Sequence, residues 1–462
     1  MINYKLFSIY IYRIDMDEII ELERLLKQYF KIINEAVDDA TKQQLPQPQQ
    51  QPQPPQPAAP KLIESGNKFI RFIGYGGYGC VFSPPRLITN IVKQEYPDPK
   101  IKPININTYN EDYVAKILSC SEYSYKKEVE SNMLIKKYDP KHIYTPEMIF
   151  AGYMNNRHLQ NFIDEQRITN KDEELTKLYQ CLSEKLILNY EFYEFYGYII
   201  YTRIGKSCEN LTKDDINQQN IKEVLKNYSL AIKYFINELY KKDYIHGDIK
   251  TPNMTLKDNK IYFIDFGLTM NYNEKIANKP KVLNLSKSVN YPIILQLFNN
   301  IYDSIFNNLT KKEYLQLLEN KINILNNQDR LYLTMNTLIS KHQFSIFKNI
   351  EDVKTYLKTY INQLLNANLN DTDKYSKKEV YEICFLPIAK NLDIYSLSLV
   401  MFHMFYYNFY QKAIVKQDFT LSNLVTDETL DLISKLFEDA LYNKIKNPIE
   451  LANRLDNIIS TI

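Results

Sequence analysis

With 462 residues, 45% of them hydrophobic, the chain is long enough for several folded units at roughly 100–200 residues per domain, and can bury a sizeable core. Its 57 Lys+Arg against 55 Asp+Glu leave a net charge of +2, which gives no case for a nucleic-acid binder or a membrane-surface protein. Five scattered cysteines (Cys80, Cys120, Cys181, Cys208, Cys384) without a CxxC pair predict free thiols in a reducing compartment, and the five histidines form no metal-like cluster. The apolar run Leu6 to Tyr12 is too short to span a bilayer and carries no small-residue cleavage site, so a cytoplasmic protein is expected.

Residues 1–42 read as a short strand followed by one amphipathic helix, with Ile19, Leu22, Leu25, Leu26, Tyr29, Phe30 and Ile33 at helical spacing. Its apolar face needs a cover, either the main domain or a protein partner. Residues 43–60 are a Pro/Gln tract that cannot form a core and reads as a linker. The main domain is expected over 61–462.

A strand over Lys68 to Ile73 leads into Gly74, Tyr75, Gly76, Gly77, Tyr78, Gly79, Cys80 and Val81, a GxGxxGxV pattern. Glycines in this pattern let backbone amides approach phosphates, and Val81 is suited to pack on a base. Alone the pattern also fits a dinucleotide-binding unit, but no crossover helix follows it. After an insertion (84–112) comes a strand, Tyr113 to Leu118, carrying Lys116, and then a helix over about 121–138. That helix offers Lys116 two glutamates. Glu130 is preferred because Met133 and Leu134 at i+3 and i+4 give it an apolar packing face, whereas Glu128 has Ser131 and Asn132 there. Tyr198 to Tyr201 reads as a buried strand, Thr202 to Gly205 as a connector, and 215–242 as one long helix.

The stretch YIHGDIKTPNMTLKDNKIYFIDFG, Tyr244 to Gly267, carries the chemistry. Two short apolar strands each deliver an aspartate, Asp248 and Asp265, and Lys250 and Asn253 lie between. Phosphoryl transfer needs a carboxylate to take the proton of an attacking hydroxyl, a carboxylate and an amide oxygen for magnesium, and a lysine to offset charge on the moving group. Downstream, 294–390 is rich in helical pattern, Leu392 to Phe402 begins a buried helix with Asp393 at its start, and 427–462 reads as closing helices.

GYGGYGCVF, VAKIL, HGDIKTPN, IDFG and LDIYSLSLV, in this order, resemble the eukaryotic-type serine/threonine protein kinases over about residues 68–462. HGDIK and RIGKSCENL are similar to the casein kinase 1 and vaccinia-related kinase branch, and GYGGYGCVFSPP to kinases of large DNA viruses, for which the location would be host cytoplasm or virion. The resemblance implies an α+β bilobal kinase fold: a small antiparallel-sheet N-lobe of five strands and one helix (about 61–201), and a larger helical C-lobe (about 206–462) with an inserted helical subdomain (about 294–390). It implies ATP and Mg2+ as nucleotide and metal, Asp248 as catalytic base, Lys250 steadying the transferred phosphoryl group, and Asn253 and Asp265 holding the metal. Lys116 with Glu130 would orient the phosphates, Thr202 and Ile204 would flank the adenine below a gatekeeper Tyr201, and Asp393 would brace the catalytic loop. The expected partner is a protein bearing Ser or Thr, with no nucleic acid and no membrane.

The family pattern is departed from in three places. No Ala-Pro-Glu closes the activation segment, where Asn290-Tyr291-Pro292-Ile293 stands, and Lys446 occupies the region of the arginine that glutamate would pair with. Gly247 replaces the arginine that reads a phosphorylated activation loop. The interval from Asp265 to Asp393 is far longer than the family needs. Two other classes remain open: a catalytically weak kinase-fold scaffold, and a small-molecule phosphotransferase of the aminoglycoside or choline kinase type. The complete set of Lys, Asp and Asn residues speaks against the first, and Lys250 with LDIYSLSLV against the second.

Overall fold

Five strands build an antiparallel sheet in the order β1-β2-β3-β5-β4: β1 Arg71–Gly76, β2 Gly79–Ser83, β3 Tyr113–Leu118, β4 Met148–Asn155 and β5 Phe195–Thr202. This computed structural model describes residues 71–76, 79–83, 112–118, 122–155, 177, 180–181, 195–276, 279–285, 290–325, 349–406 and 421–462. The strand and helix expected over 1–42, the tract 43–60, the insertion 84–111, and Gly77 and Tyr78 lie outside the described residues.

Side chains alternate across a strand, and β5 buries both of its faces. Tyr196, Tyr198 and Ile200 pack with Phe82, Ala115 and Ile117, while Ile199 packs with Leu118, Ala151, Tyr125 and Val129. Tyr125 and Val129 belong to α1, Glu122–Tyr138, which covers that second face. The helix stops at Asp139-Pro140, since a proline disfavours helical backbone in the residue before it. The Asp139 carboxylate then accepts the Ile143 and Tyr144 N–H groups at 2.9 and 2.8 Å and the Thr145 hydroxyl at 2.9 Å, fixing the turn toward β4.

The first face of the sheet also holds a disulfide, Cys80–Cys181. This corrects the expectation of free thiols for these two residues. Their separation of 101 residues leaves no spacing signature to read, and the folded chain alone brings β2 against the helical turn at Cys181. Cys208 and Cys384 are free and buried, and Cys120 lies outside the described residues.

The remaining described residues are mostly helical and share one core. The expected helix 215–242 begins later, as α2 from Ile221, continuing through a wide π-type turn at Ile232–Ile236 to Lys241. Residues 212–220 are spent on side-chain turns instead, with Asp215 accepting the Thr212 N–H at 2.7 Å and Asn220 the Asn217 N–H at 2.8 Å. Across the region expected as 294–390 run α3 Ile293–Tyr302, α4 Lys311–Asn323 and α5 Ile350–Asn368. Capping boxes start α4 (Thr310 with Glu313) and α5 (Asn349 with Asp352), each satisfying two otherwise orphaned amides. Tyr314, Leu318 and Ile322 on α4, and Val353, Leu357, Ile361 and Leu365 on α5, are buried stripes of the same core as Phe298 and Phe385. That core continues into α6, Leu392–Tyr406, and the closing helices α7, Asp427–Leu441, and α8, Pro448–Ser460. Among the described residues no single helix is long and apolar enough to cross a membrane.

Candidate active site

A ladder and a hairpin place the aspartates. Tyr244–Ile245 (β6) pairs antiparallel with Met270–Asn271 (β9), and Met254–Lys257 (β7) pairs with Lys260–Phe263 (β8). The two-residue turn of that hairpin, Asp258-Asn259, takes φ of 51° and 61°, the left-handed backbone that tight hairpins require and that Asp and Asn tolerate. The Ile264 N–H reaches the Asn253 carbonyl at 3.0 Å, so Asn253 enters the hairpin where Asp265 leaves it. Asp265 itself sits at φ 64°, ψ 71°, an uncommon conformation for a non-glycine residue and one that clusters at functional sites.

The loop His246–Asn253 is hung from α6. The buried Asp393 carboxylate accepts the His246 N–H at 2.6 Å and the Gly247 N–H at 3.1 Å. Its carboxyl is raised by burial, against the pull of His246 and the two amides. Gly247 has φ 78°, and a Cβ there would stand 2.7 Å from the Leu268 carbonyl oxygen, so neither the backbone nor the space admits a side chain. The Tyr291 hydroxyl donates to the Gly247 carbonyl, and the Ser396 hydroxyl to the Asn290 carbonyl at 2.7 Å. The segment Asn290–Ile293 is thus anchored to the loop and to α6 by hydrogen bonds. Lys446 donates locally, to the Asn443 carbonyl, and Arg454 is engaged with Asp439 and Glu450.

Six polar side chains gather at this place. Lys250 Nζ lies 2.8 Å from Asp248 Oδ2, and Asn253 Nδ2 donates to the same oxygen at 2.7 Å and to the Asp248 carbonyl at 2.9 Å. Across from them, Lys116 Nζ lies 3.0 Å from Asp265 Oδ1 and 2.7 Å from Glu128 Oε1. Lys116 is delivered by β3 opposite Val81 of β2, and β2 can approach because Gly79 lacks a side chain: a Cβ there would sit 2.1 Å from the Ile117 carbonyl oxygen.

Charge follows from this geometry. Burial works to depress the Lys116 pKa, but the carboxylates of Asp265 and Glu128 outweigh it and the net shift is upward, so the ammonium is retained. For Asp265, burial pushes upward, yet Lys116, with help from Lys250, holds the carboxyl below its ordinary value. Glu128 is raised by burial, with Lys116 pulling against it. Asp248 is likewise raised by burial, only partly offset by Lys250, which makes it a stronger proton acceptor than an exposed aspartate. Burial lowers His246, which packs on Phe266 with ring centroids 4.9 Å apart, so it serves as a neutral wedge.

Of the residues expected here, Asp248, Lys250, Asn253, Asp265 and Lys116 converge, and Gly74, Gly79 and Val81 lie on the strands bordering them. Glu130 does not. It is exposed, and Glu128 takes its place beside Lys116. Met133, whose apolar character favoured Glu130, is itself 46% exposed. Tyr125, Val129, Asn132 and Ile135 form the buried stripe, with Glu128 upon it, and counting the 3.6-residue period from Tyr125 identifies the correct glutamate. Cys80 is also corrected: its side chain is turned into the disulfide and the core of the opposite sheet face, leaving only its backbone for a ligand. Thr202 spends its N–H on the Glu147 carbonyl and its hydroxyl on the Glu147 N–H, both at 2.9 Å, while Ile204 lies in the connector before Gly205.

A divalent cation would find oxygen donors at one corner of this site. The Asn253 amide nitrogen is committed to Asp248, leaving its side-chain oxygen as an acceptor, and Asp265 contributes a carboxylate. Among the described residues no group of three or more His, Cys, Asp or Glu side chains could hold a metal. One amide oxygen and one carboxylate are donor types that suit magnesium, a hard ion that keeps waters and takes phosphate oxygens as further ligands.

No family model matches the chain. Over 91 residues it is 30% identical to a fowlpox virus protein described as a "probable serine/threonine-protein kinase". The match covers 19% of this chain and 29% of the relative's length, and supports a kinase-like relationship.

Proposed function

We propose that the chain is an ATP- and magnesium-dependent serine/threonine protein kinase of bilobal kinase fold, transferring the γ-phosphoryl group of ATP to a protein hydroxyl. The observation that carries this is the meeting of Asp248, Lys250 and Asn253, from one loop, with Asp265 after the hairpin, Lys116 from β3 and Glu128 from α1. A lysine paired with a helix glutamate and a metal-binding aspartate, beside an aspartate–lysine–asparagine loop, is the arrangement that phosphoryl transfer from a nucleotide uses.

In this reading the sheet, with Gly74, Gly76, Gly79 and Val81, covers the nucleotide, and Lys116 meets the phosphates. Thr202 and Ile204 flank the adenine. Asp248 accepts the proton of the attacking hydroxyl as the new P–O bond forms and the bond to the departing ADP breaks. Lys250, already beside Asp248, faces the negative charge on the transferred group. Asn253 and Asp265 would hold magnesium, which supplies charge neutralisation of the phosphates when bound. Lys250, two places after Asp248, matches the serine/threonine-specific pattern. The cytoplasmic and viral setting, the protein substrate and a partner for the N-terminal helix belong to the same proposal.

The test is purified protein with labelled ATP, magnesium, and one acidic and one basic general protein substrate, followed by phosphoamino-acid analysis. Label on serine or threonine, lost in Asp248→Asn, is expected. Binding of magnesium–ATP without transfer would favour a scaffold, and transfer to small aminoalcohols but not proteins a small-molecule kinase.

A further inference from the structure

Glu128 has more partners than Lys116. The Tyr201 hydroxyl, at the end of β5, donates to Glu128 Oε1 at 3.2 Å, the same oxygen that Lys116 reaches. Asn132, one turn along α1, donates from Nδ2 to the Tyr201 oxygen at 3.1 Å and to the Glu128 backbone carbonyl at 2.8 Å. The three residues close a ring: the Glu128 carboxylate, the Tyr201 phenol, the Asn132 amide, and back to the Glu128 main chain. Burial leaves Glu128 and Asn132 with 6% and 7% of their surface exposed, so water cannot readily replace these bonds.

We propose that Tyr201 and Asn132 are positioning residues that lock α1 against the sheet with the Glu128 carboxylate already turned onto Lys116, so that the phosphate-facing lysine is oriented without an outside partner or a modification of the chain. The inference rests on the phosphotransferase reading of the site. A glutamate on a helix has several rotamers open to it, and a single ion pair at the edge of a cleft leaves exchange among them. A phenol held by a sheet strand is a fixed donor, and Asn132 ties that donor to the same helical turn that carries Glu128. Movement of α1 away from the sheet would break the contact to Tyr201 and leave a buried carboxylate with one donor fewer. The phenol of Tyr201 stays protonated across the working range, because burial and the neighbouring Glu128 both push its ionisation upward.

The experiment is a double-mutant cycle of Tyr201→Phe with Glu128→Ala, read by magnesium–ATP affinity in calorimetry and, separately, by kcat and KM for ATP. Tyr201→Phe keeps the ring and its packing and removes one hydrogen bond to a charged group, so roughly a tenfold loss in kcat/KM for ATP is expected. In the Glu128→Ala background the same change should have almost no further effect. Asn132→Leu, which leaves Tyr201 in place, should reproduce a smaller loss and serves as the second variant should Tyr201→Phe fold poorly. Equal affinity and turnover in Tyr201→Phe and wild type, or additive losses with Glu128→Ala, would overturn the proposal. If the wild type binds magnesium–ATP but transfers nothing, the kinase reading falls. The positioning role then stands or falls on the calorimetric cycle alone.

Discussion

The Cys80–Cys181 bond ties the strand that carries Gly79 and Val81 to a segment 101 residues away, and its reduction is the perturbation with the clearest magnitude. In the chain-entropy account, a cross-link closing a loop of about 100 residues removes about 4.7 kcal/mol of unfolded-state entropy at 25 °C. If residues 68–462 melt as one unit, an unfolding entropy of about 2.1 cal/mol/K per residue gives about 0.8 kcal/mol/K, and the loss lowers Tm by roughly 6 °C. The variant pair Cys80→Ser and Cys181→Ser, together and singly, should show this drop by scanning calorimetry without reductant, and dithiothreitol should bring the wild type to the same Tm while leaving the double variant unmoved. Alkylation of denatured protein with and without prior reduction counts the bonded thiols by mass. Because Cys80 follows Gly79 directly, the reduced protein should also gain less stabilisation from magnesium–ATP. An unchanged alkylation pattern, or a wild type whose Tm ignores dithiothreitol, would refute the reasoning.

Asp248→Asn should keep the wild-type Tm and lower turnover about 10²–10⁴-fold, the usual weight of a general base, measured with labelled ATP. Asp393→Ala strands the buried His246 and Gly247 amides and should destabilise the protein by about 2–4 kcal/mol in urea titrations while abolishing transfer. Magnesium should add to the thermal stabilisation given by ATP, and Asp265→Asn should remove that increment; a nucleotide effect indifferent to magnesium speaks against the metal assignment. Gly79→Ala forces a Cβ onto the Ile117 carbonyl and should cost about 1–3 kcal/mol, with weaker nucleotide binding by calorimetry.

The residues that converge at the site were legible because their chemistry is local in sequence. Asp248, Lys250 and Asn253 fall within one short loop, and the hairpin between Asn253 and Asp265 announces itself by apolar strands around Asp258-Asn259. Within the described part of 294–390, the helices were legible for the same reason, since each apolar stripe lies within one helix. What the sequence hid depends on long-range geometry. Which face of α1 meets the sheet is decided by Tyr125 and Val129 packing under Ile199, and apolar Met133 pointed the other way. The disulfide joins residues with no sequence relation. The late start of α2 reflects Asp215 and Asn220 bonding their own backbone, which competes with helix formation in a manner that apolar periodicity does not register.

Gly247 has a consequence for how control could be added to this molecule. A cationic side chain at that position would offer a phosphate on the following segment a partner, but a substitution there meets both a left-handed backbone and a close carbonyl. Its left-handed backbone and the Leu268 carbonyl 2.7 Å from any Cβ would require the loop to be re-threaded around Asp393 at the same time. An engineer seeking a phosphorylation switch would have to bring the positive charge from another element. For a descendant of this sequence, pairing a phosphate at this loop takes more than one substitution, since the side chain and the path of the loop must change together.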